Sequence, residues 1–438
     1  MSFIVDFTNH QSTELSNLPS SSELAWFGLN RESALNNFKS LQLPNRKVEH
    51  WKYNDLTSIT QNEFSLLDKP TDVQKVDAHE CTQKINFENA IEITFVNGFL
   101  TAVPNNLANQ LGIKVTTFEQ ADAEQQKVIS AQLAENNEGK NIFSSLNQAI
   151  NQSGILVEIA ANHKIEQPLY IRYLTSEKQP HKIASQITVI SAAKSSEFTL
   201  IEQFNSDKQQ DQLLSLQQTL ISIAENAHFN HYRLSLESDS AYQIAQTQTR
   251  LANDSVMNSF YLGFGSKVNR TDIDVLHQGQ NAQCNITGIY LPANSQAIDY
   301  HSNIEHQSPR CNTNEIFRGI IADKASATFN GKIHIFQDAQ KSDAYLNNKN
   351  LLLTNEAEIN TKPELEIYAD DVSCAHGATV AQLDKKSLYY LQSRGINAQV
   401  AKKMLSLAFV QELLNKIKNE PVKDFLTQLL DEYMSKVA

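Results

Sequence analysis

NAQCN, residues 281–285, is one of four copies of a short unit, the others being NAHFN at 226–230, SATFN at 326–330 and EAEIN at 356–360. Each copy is soon followed by an alternating strand. The steps from alanine to alanine are 55, 45 and 30 residues, so a search at one fixed period misses the repeat. On a strand, the alanine and the apolar residue two places later share one face, and the residues around them share the other. A small and a large inward residue suit the interior of a coiled sheet. Asn230, Asn285, Asn330 and Asn360 suit bends, because asparagine tolerates the left-handed region and bonds its own backbone. Stacked turns of this kind make a parallel β-helix, in which each turn buries its inner face on the next. An antiparallel sandwich is the rival, and it calls for more tight glycine turns than 13 glycines in 438 residues supply.

Working outward from the repeat, strand-like segments run from about 155 to 381: ILVEIA, PLYIRYL, QITVISA, EFTLIEQF, YRLSLES, DIDVLHQG, KIHIF and LEIYADD. Before them, SELAWFGLNRESALNNFKS places Leu24, Phe27, Leu29, Leu35 and Phe38 at helical spacing, and Pro44 ends that pattern. AIEITFVNGFLTAVP reads as a hairpin around Asn97–Gly98, and NIFSSLNQAINQSG as a short capped helix ending at Gly154. After the repeats, DKKSLYYLQSRGI has Asp384 as an N-cap and Gly395 where a C′ residue belongs. Val400, Met404, Leu407, Leu414 and Ile417 then form an apolar stripe, and Pro421 opens a last helix. The stripe predicts docking onto a neighbour or partner. The expected class is therefore mainly β. A right-handed parallel β-helix core (154–381) lies between an N-terminal α/β, mostly helical region with a hairpin (1–153) and a C-terminal helical domain (382–438).

A net charge of −12 and a mean hydropathy of −0.40 argue against a nucleic-acid or anionic-membrane surface. The first residues show no signal-peptide pattern and no apolar run approaches a membrane span. Cys81, Cys284, Cys311 and Cys374 are sparse, which fits a reducing, cytoplasmic setting.

Chemistry narrows by elimination. LGFGSKVNR (262–270) lacks the remaining P-loop positions and reads as a turn, and no G-x-S-x-G, H-E-x-x-H or C-x-x-C is present. Cys284 falls where Phe229, Phe329 and Ile359 fall, so it reads as a small buried hydrophobe. Cys311, in SPRCNTNE, reads as a solvated loop thiol, His228 as an outward strand residue, and Cys81 has no recognisable partner. Cys374 and His376, in DDVSCAHGATV (370–380), share one strand face, and thiolate with imidazole suits zinc or an iron–sulfur group. If CAHGA is a degenerate repeat unit, Ala375 and Gly377 point in and Cys374 and His376 point out. The plain alternative is a satisfied polar pair at a strand end, because two ligands are too few for a closed site.

NLLLTNEAEINTKPELEIYADDVSCAHGATV, with LYYLQSRGI and AKKMLSLAF after it, resembles the SufB/SufD family of iron–sulfur cluster assembly proteins. PNRKVEHWKYNDL, VNRTDIDVLHQGQNAQCNITGIYL and IEHQSPRCNTNEIFRGIIADKASATFNGKIHIF extend the likeness over most of the chain, and ADDV before HGAT favours a SufD-like member. Ala375 departs from the serine usual there. The resemblance implies a non-catalytic scaffold with a β-helix core that pairs with a SufB-like paralogue and docks a SufC-like ABC-type ATPase through its C-terminal helices. On this chain the docking positions would be Tyr389, Arg394, Gly395, Val400, Met404, Leu407 and Phe409. It implies a transient iron–sulfur cluster shared with the SufB-like partner, with His376 the candidate ligand and Cys374 a weaker one. ATP would enter only through the SufC-like partner, a flavin is not readable, and the isolated chain could pair with itself. A lyase-type carbohydrate-active β-helix and a metal-free homo-oligomeric adaptor are the rival readings.

Overall fold

The computed structural model describes residues 22–53, 56–60, 62, 64–67, 84–102, 112–137, 141–175, 181–206 and 212–437. Cys81 and the polar stretch DKPTDVQKVDAHE (68–80), which reads from sequence as a connector, lie outside these. The N-terminal part contains helices α1 (Gly28–Ser40), α2 (Thr57–Thr60), α3 (Ala123–Asn137) and α4 (Ile142–Ile150). Its strands are β1 (Ser65–Leu66), β2 (Ile91–Val96), β3 (Phe99–Ala102) and β4 (Ile113–Thr117). The coil begins with β5 (Gly154–Ile159), β6 (Leu169–Thr175), β7 (Lys182–Ala192), β8 (Glu197–Ser206), β9 (Leu214–Ile223) and β10 (His228–Leu236). It continues with β11 (Tyr242–Leu251), β12 (Val256–Gly263), β13 (Val268–His277), β14 (Gln283–Tyr290) and β15 (Ala297–His306). It ends with β16 (Asn312–Ile321), β17 (Ser326–Ile335), β18 (Ser342–Leu352), β19 (Glu358–Ile367) and β20 (Val372–Gln382). Helices α5 (Lys385–Ser393), α6 (Ala398–Leu414) and α7 (Glu420–Val437) follow.

Odd-numbered strands from β5 to β19 form one sheet and even-numbered strands from β6 to β20 the other, and every consecutive pair within each series is parallel. The chain is a β-solenoid, and the sandwich alternative is gone. His228 lies beside Glu197, Val256 beside His228 and Gln283 beside Val256, which are 31, 28 and 27 residues apart. The uneven repeat now has a cause. The 55-residue step is two turns, and the 45-residue step crosses from the even sheet to the odd one. The last copy is out of step by two, because Ala327 pairs with Ile359.

Ala227, Phe229, Ala282, Cys284, Ala327 and Phe329 all point into the core, as the unit implies, and His228 is exposed. The bends fall elsewhere than expected. Positive φ belongs to the residue that opens the unit, Asn226 (56°) and Asn281 (56°), and to Asp254 (57°) and Arg310 (59°) in the intervening turns. The closing asparagines sit inside strands, where they hydrogen-bond from turn to turn: Asn285 Nδ2 donates to Asn258 at 3.0 Å, and Asn258 to Asn230 at 3.1 Å. Cys311 follows the left-handed Arg310, as Ala227 and Ala282 follow their asparagines. It therefore occupies the small inward corner, buried, with its thiol donating to Gly279 O at 3.2 Å. The solvated-thiol reading is corrected. Its polar neighbours belong to the bend and carry no information about the corner.

Other local signals hold in part. Asn97 (φ 55°) and Gly98 (φ 85°) turn the β2–β3 hairpin. The helical stretch at 22–40 starts as a 3-10 turn, Ser22–Phe27, and buries Leu24, Phe27 and Phe38, whereas Leu29 is 77% exposed. Helix α4 is capped by Asn141 but ends at Ile150, and Gly154 opens β5 instead. The 262–270 stretch is the β12–β13 bend, with Gly265 and Ser266 at positive φ.

Two helical covers clothe the solenoid. Phe38, Trp51, Ile142, Phe143 and Leu146 pack on outward residues of the odd sheet such as Leu216, Tyr242 and Ile244. Arg270 stitches this cover down, lying 4.3 Å over the Trp51 ring while bonding His50 O at 2.7 Å and Asp299 at 2.8 Å. Val410, Leu413, Leu414, Leu426 and Leu430 cover Tyr232, Leu234, Phe260, Ile289 and Ile316 of the even sheet.

Inside, large rings lie over glycines of the neighbouring turn. A Cβ on Gly288 would stand 2.1 Å from Phe317, and one on Gly319 would stand 2.1 Å from Tyr290 and 2.5 Å from Asn350 Oδ1. Gly319→Ala is therefore expected to lower stability by about 1–3 kcal/mol. Gly377→Ala, whose Cβ would meet only Asn347 Nδ2 at 3.3 Å, should change it little. Urea unfolding of both variants checks the contrast.

Candidate functional site

Strand β20 holds both candidate ligands. Its register sets Cys374 beside Ala344, Ala375 beside Tyr345, His376 beside Leu346 and Gly377 beside Asn347. Ala344 and Leu346 belong to the core, and Tyr345 is exposed. Cys374 and His376 thus lie on the inward face and Ala375 and Gly377 on the outward one, the reverse of the expected orientation. Parity is set by pairing with β18, and CAHGA is not in phase with the repeat unit. Cys374 still packs against the core, and His376 is exposed only because no further turn follows. The two Cα atoms, two residues apart on a strand, are about 6.6 Å from each other.

Burial pushes the Cys374 thiol up, with Asp343 adding to the effect and a backbone hydrogen bond near Ala344 opposing it. The thiol is protonated at rest and becomes a ligand only by losing that proton. Among the described residues no group of three or more His, Cys, Asp or Glu side chains is placed to hold a metal ion. The pair is thus an incomplete donor set on an open edge. In the last turn Ile367 is 39%, Val380 49% and Tyr368 63% exposed, whereas Tyr345 stands beside Ala375 on the outward face. Ile367 and Val380 belong to β19 and β20, the last strands of the two sheets among the described residues.

The C-terminal candidates divide. Helix α5 has Asp384 as its N-cap, accepting from the amides of Lys386 and Ser387, and Gly395 at φ 87° beyond its end. It buries none of its residues, and Tyr389 and Arg394 are exposed, Arg394 lying 5.4 Å over the Tyr390 ring. Val400 and Met404 are exposed as well. Leu407 and Phe409 are partly buried, and Leu414 and Ile417 buried, in the packing of α6 and α7 on the even sheet. The stripe predicted for docking is therefore half satisfied within the chain, and its free portion is the first two turns of α6 with α5.

Two regions of the chain match family models. Residues 173–409 match the SUF system FeS cluster assembly SufBD core domain, and residues 10–171 match the SufBD protein N-terminal region. The chain belongs to the SufBD family. It is 30% identical over 383 residues to the iron–sulfur cluster assembly protein SufD of Escherichia coli, covering 87% of each chain. It is 29% identical over 398 residues to an iron–sulfur cluster assembly SufBD family protein of Synechocystis, covering 88% of this chain and 86% of that one. The chloroplastic protein ABCI7 of Arabidopsis thaliana is 25% identical over 400 residues, with 90% and 83% covered. The SufBD core match spans most of the solenoid together with α5 and most of α6.

Polar groups inside the solenoid went unread in the sequence. Glu202 takes His231 Nε2 at 3.0 Å, Arg233 at 3.3 Å and Thr219 at 2.8 Å, and His231 Nδ1 meets Ser259 at 2.8 Å. Burial pushes the Glu202 carboxyl up, but the His231 bond and the Arg233 charge outweigh it, and the net shift is downward. The signal was available: inward parity fixed by Ala227 and Phe229 continues to His231 and Arg233. Glu315 is different. It lies in the same inward file as Leu346 and His376, and burial raises it from 4.5 to about 7 against an opposing interaction with the Ser302 hydroxyl. His277 and His306 share Thr313 Oγ1 at 3.1 and 2.8 Å, and burial lowers His306 to about 4.

These shifts have opposite signs in stability. Glu315 binds a proton in the folded chain that the unfolded chain has released above pH 4.5, so its contribution falls as pH rises from 4.5 through 7. His306 is neutral when folded but protonates when unfolded, so stability is lost as pH falls from 6.5 toward 4. Glu315→Gln removes only the first effect. It is expected to stabilise the chain at pH 8 relative to pH 5 by up to about 3 kcal/mol. Thermal melts of the variant and parent at both values check this.

Proposed function

We propose that this chain is a non-catalytic scaffold subunit for iron–sulfur cluster assembly, and that the open end of its solenoid is completed by a SufB-like paralogue. The single observation behind this reading is the position of Cys374 and His376. They are inward residues of the last strand, with Cys374 half-buried and His376 exposed, in a turn that also leaves Tyr368, Ile367 and Val380 exposed. A partner laying its own last turn there would cover these apolar side chains and bring further ligands to His376, which supplies the imidazole. The cluster is cargo in this reading. A mixed thiolate and imidazole set would hold it less tightly than four thiolates and release it more readily. Cys374 is the weaker ligand, because its thiol must first give up a proton.

The exposed part of α5 and α6, with Tyr389, Arg394, Val400 and Met404, is read as the docking surface for a SufC-like ATPase. ATP-driven movement of that partner would pull on α6, whose other end is packed on the even sheet, and so shift the edge that carries His376. The chain is read as three units, 1–153, 154–381 and 382–438, with the coil right-handed, the sense favoured for parallel crossovers. It is read as cytoplasmic, and no helix among the described residues is long and apolar enough to cross a membrane. The family membership disfavours the carbohydrate-active reading.

His376→Ala in the reconstituted three-protein complex is expected to reduce cluster formation at least tenfold, followed by absorbance and iron content, with the complex intact on size exclusion. Cys374→Ser should reduce it less. Undiminished assembly with His376→Ala removes that residue from the mechanism.

A further inference from the structure

A groove of about 990 Å³ lies between the outer face of the odd sheet and the segment 41–51. Its size is in the range of small-molecule sites. Outward residues of the sheet form its floor in rows that cross the strands, Asp272, His301 and Asn330 in one and Asp274, Asn303 and Lys332 in the next. Leu41, Leu43, Pro44 and Val48 supply an apolar wall. The cations of the lining are engaged within the chain. Arg250 pairs with Glu135 at 2.8 Å, Arg270 with Asp272 at 2.7 Å and Asp299 at 2.8 Å, and Lys332 with Glu366 at 2.9 Å. Burial, with His301 and Arg270 nearby, lowers the His50 imidazole and keeps it neutral at neutral pH. A phosphate or carboxylate ligand therefore finds no uncommitted cation among the described residues. Asp274 and Glu305 are met by neutral amides, from Gln246 at 2.8 Å and Gln307 at 2.9 Å.

Asn330 points to what the groove takes. It is 7% exposed, and Phe329 beside it faces the core, so the Asn330 side chain faces outward into the groove that it lines. Among the described residues its amide has no hydrogen-bond partner, yet neither of its polar atoms is sealed from the groove. An amide left open in this way is met by a group that both donates and accepts. Its neighbour in register, His301, has Nε2 at 3.0 Å from Asp299, so that nitrogen carries the proton and Nδ1 is left as an acceptor. Neutral hydroxyls satisfy both residues, and the apolar wall suits the carbon faces of sugar rings. A pyranose ring is close in length to the spacing of the rows, about 4.8 Å from strand to strand. An extended peptide rises about 3.3 Å per residue and falls out of step with them.

We infer that this groove binds a short neutral oligosaccharide, its hydroxyls on Asn330, His301 and Asn303 and the carbon faces of its rings on Leu43 and Val48. The site is separate from the β20 edge and does not rest on the assembly reading. The test is calorimetric titration of the full chain with cellotriose, maltotriose and xylotriose. Saturable one-to-one binding of at least one is expected, with trigalacturonate and tetraglycine each at least tenfold weaker. Asn330→Leu keeps the bulk and removes the amide, and is expected to weaken the bound sugar tenfold or more. Val48 is 42% exposed, so Val48→Trp fills the groove from a position that folding does not depend on, and is expected to abolish binding. Thermal melts of both variants report their folding. Absence of saturation by all three sugars, equal binding of trigalacturonate or tetraglycine, or unchanged affinity in either folded variant overturns the proposal.

Discussion

When a parallel strand is laid in register on its predecessor, each side chain stands over the one a turn earlier, at about 4.8 Å. In this solenoid that constraint turns the interior into files of residues, and every choice in one turn is felt by the next. Glycines at 288 and 319 exist because Phe317 and Tyr290 need the space of the neighbouring turn. Polar groups inside obey the same rule. Glu202, His231 and Arg233 come from adjacent strands β8 and β10, and they satisfy one another because register brings them side by side. The outward files are equally ordered, with asparagines at 230, 258 and 285 bonding up the even sheet.

The two ends of the solenoid solve the same problem differently. At the N-terminal end, β4 joins the odd sheet antiparallel to β5, and the β2–β3 hairpin extends the even sheet beside β6. Ile91, Ile93, Phe95 and Ile113 close the core there, all buried. At the other end, β19 and β20 are the last strands of their sheets among the described residues, and the core runs out into partly exposed Leu365, Cys374 and Ile367. An unpaired parallel edge with apolar neighbours is a surface that proteins normally protect. Its exposure on one end only is an asymmetry of the fold, and it places the candidate ligands at the end that is left open.

Much of this was legible in the chain itself, for a physical reason. Small and large inward residues at two-residue spacing announce a coiled sheet, and Asn97–Gly98, Asp384 and Gly395 mark turns and caps that depend on local backbone chemistry alone. What failed was phase. The left-handed residue is the first asparagine of the unit, not the last. Cys311 was hidden because its corner role is visible only when its turn is stacked beneath Ala282. The inward face of Cys374 and His376 likewise depends on which residue of β18 each one meets. The C-terminal stripe was read as docking onto a neighbour or a partner without deciding which, because a helix face carries no mark saying whether its own chain or another covers it. Leu414 and Ile417 went to the even sheet, while Val400 and Met404 did not.

The file that ends at His376 shows why that histidine is informative. Read along the even sheet, its inward residues are Leu200, His231, Ser259, Ile286, Glu315, Leu346 and His376. An imidazole in such a file must have its ring nitrogens met, and His231 achieves this through Glu202 on one side and Ser259 of the next turn on the other. His376 has no next turn. If the end were a simple stop, a small or charged outward residue with a covering loop would seal it. Instead an imidazole and a thiol continue the inward files, in a turn whose Tyr368, Ile367 and Val380 are also exposed. The same stacking that builds the core therefore also leaves, by its interruption, the last residues of two inward files at the edge of the solenoid.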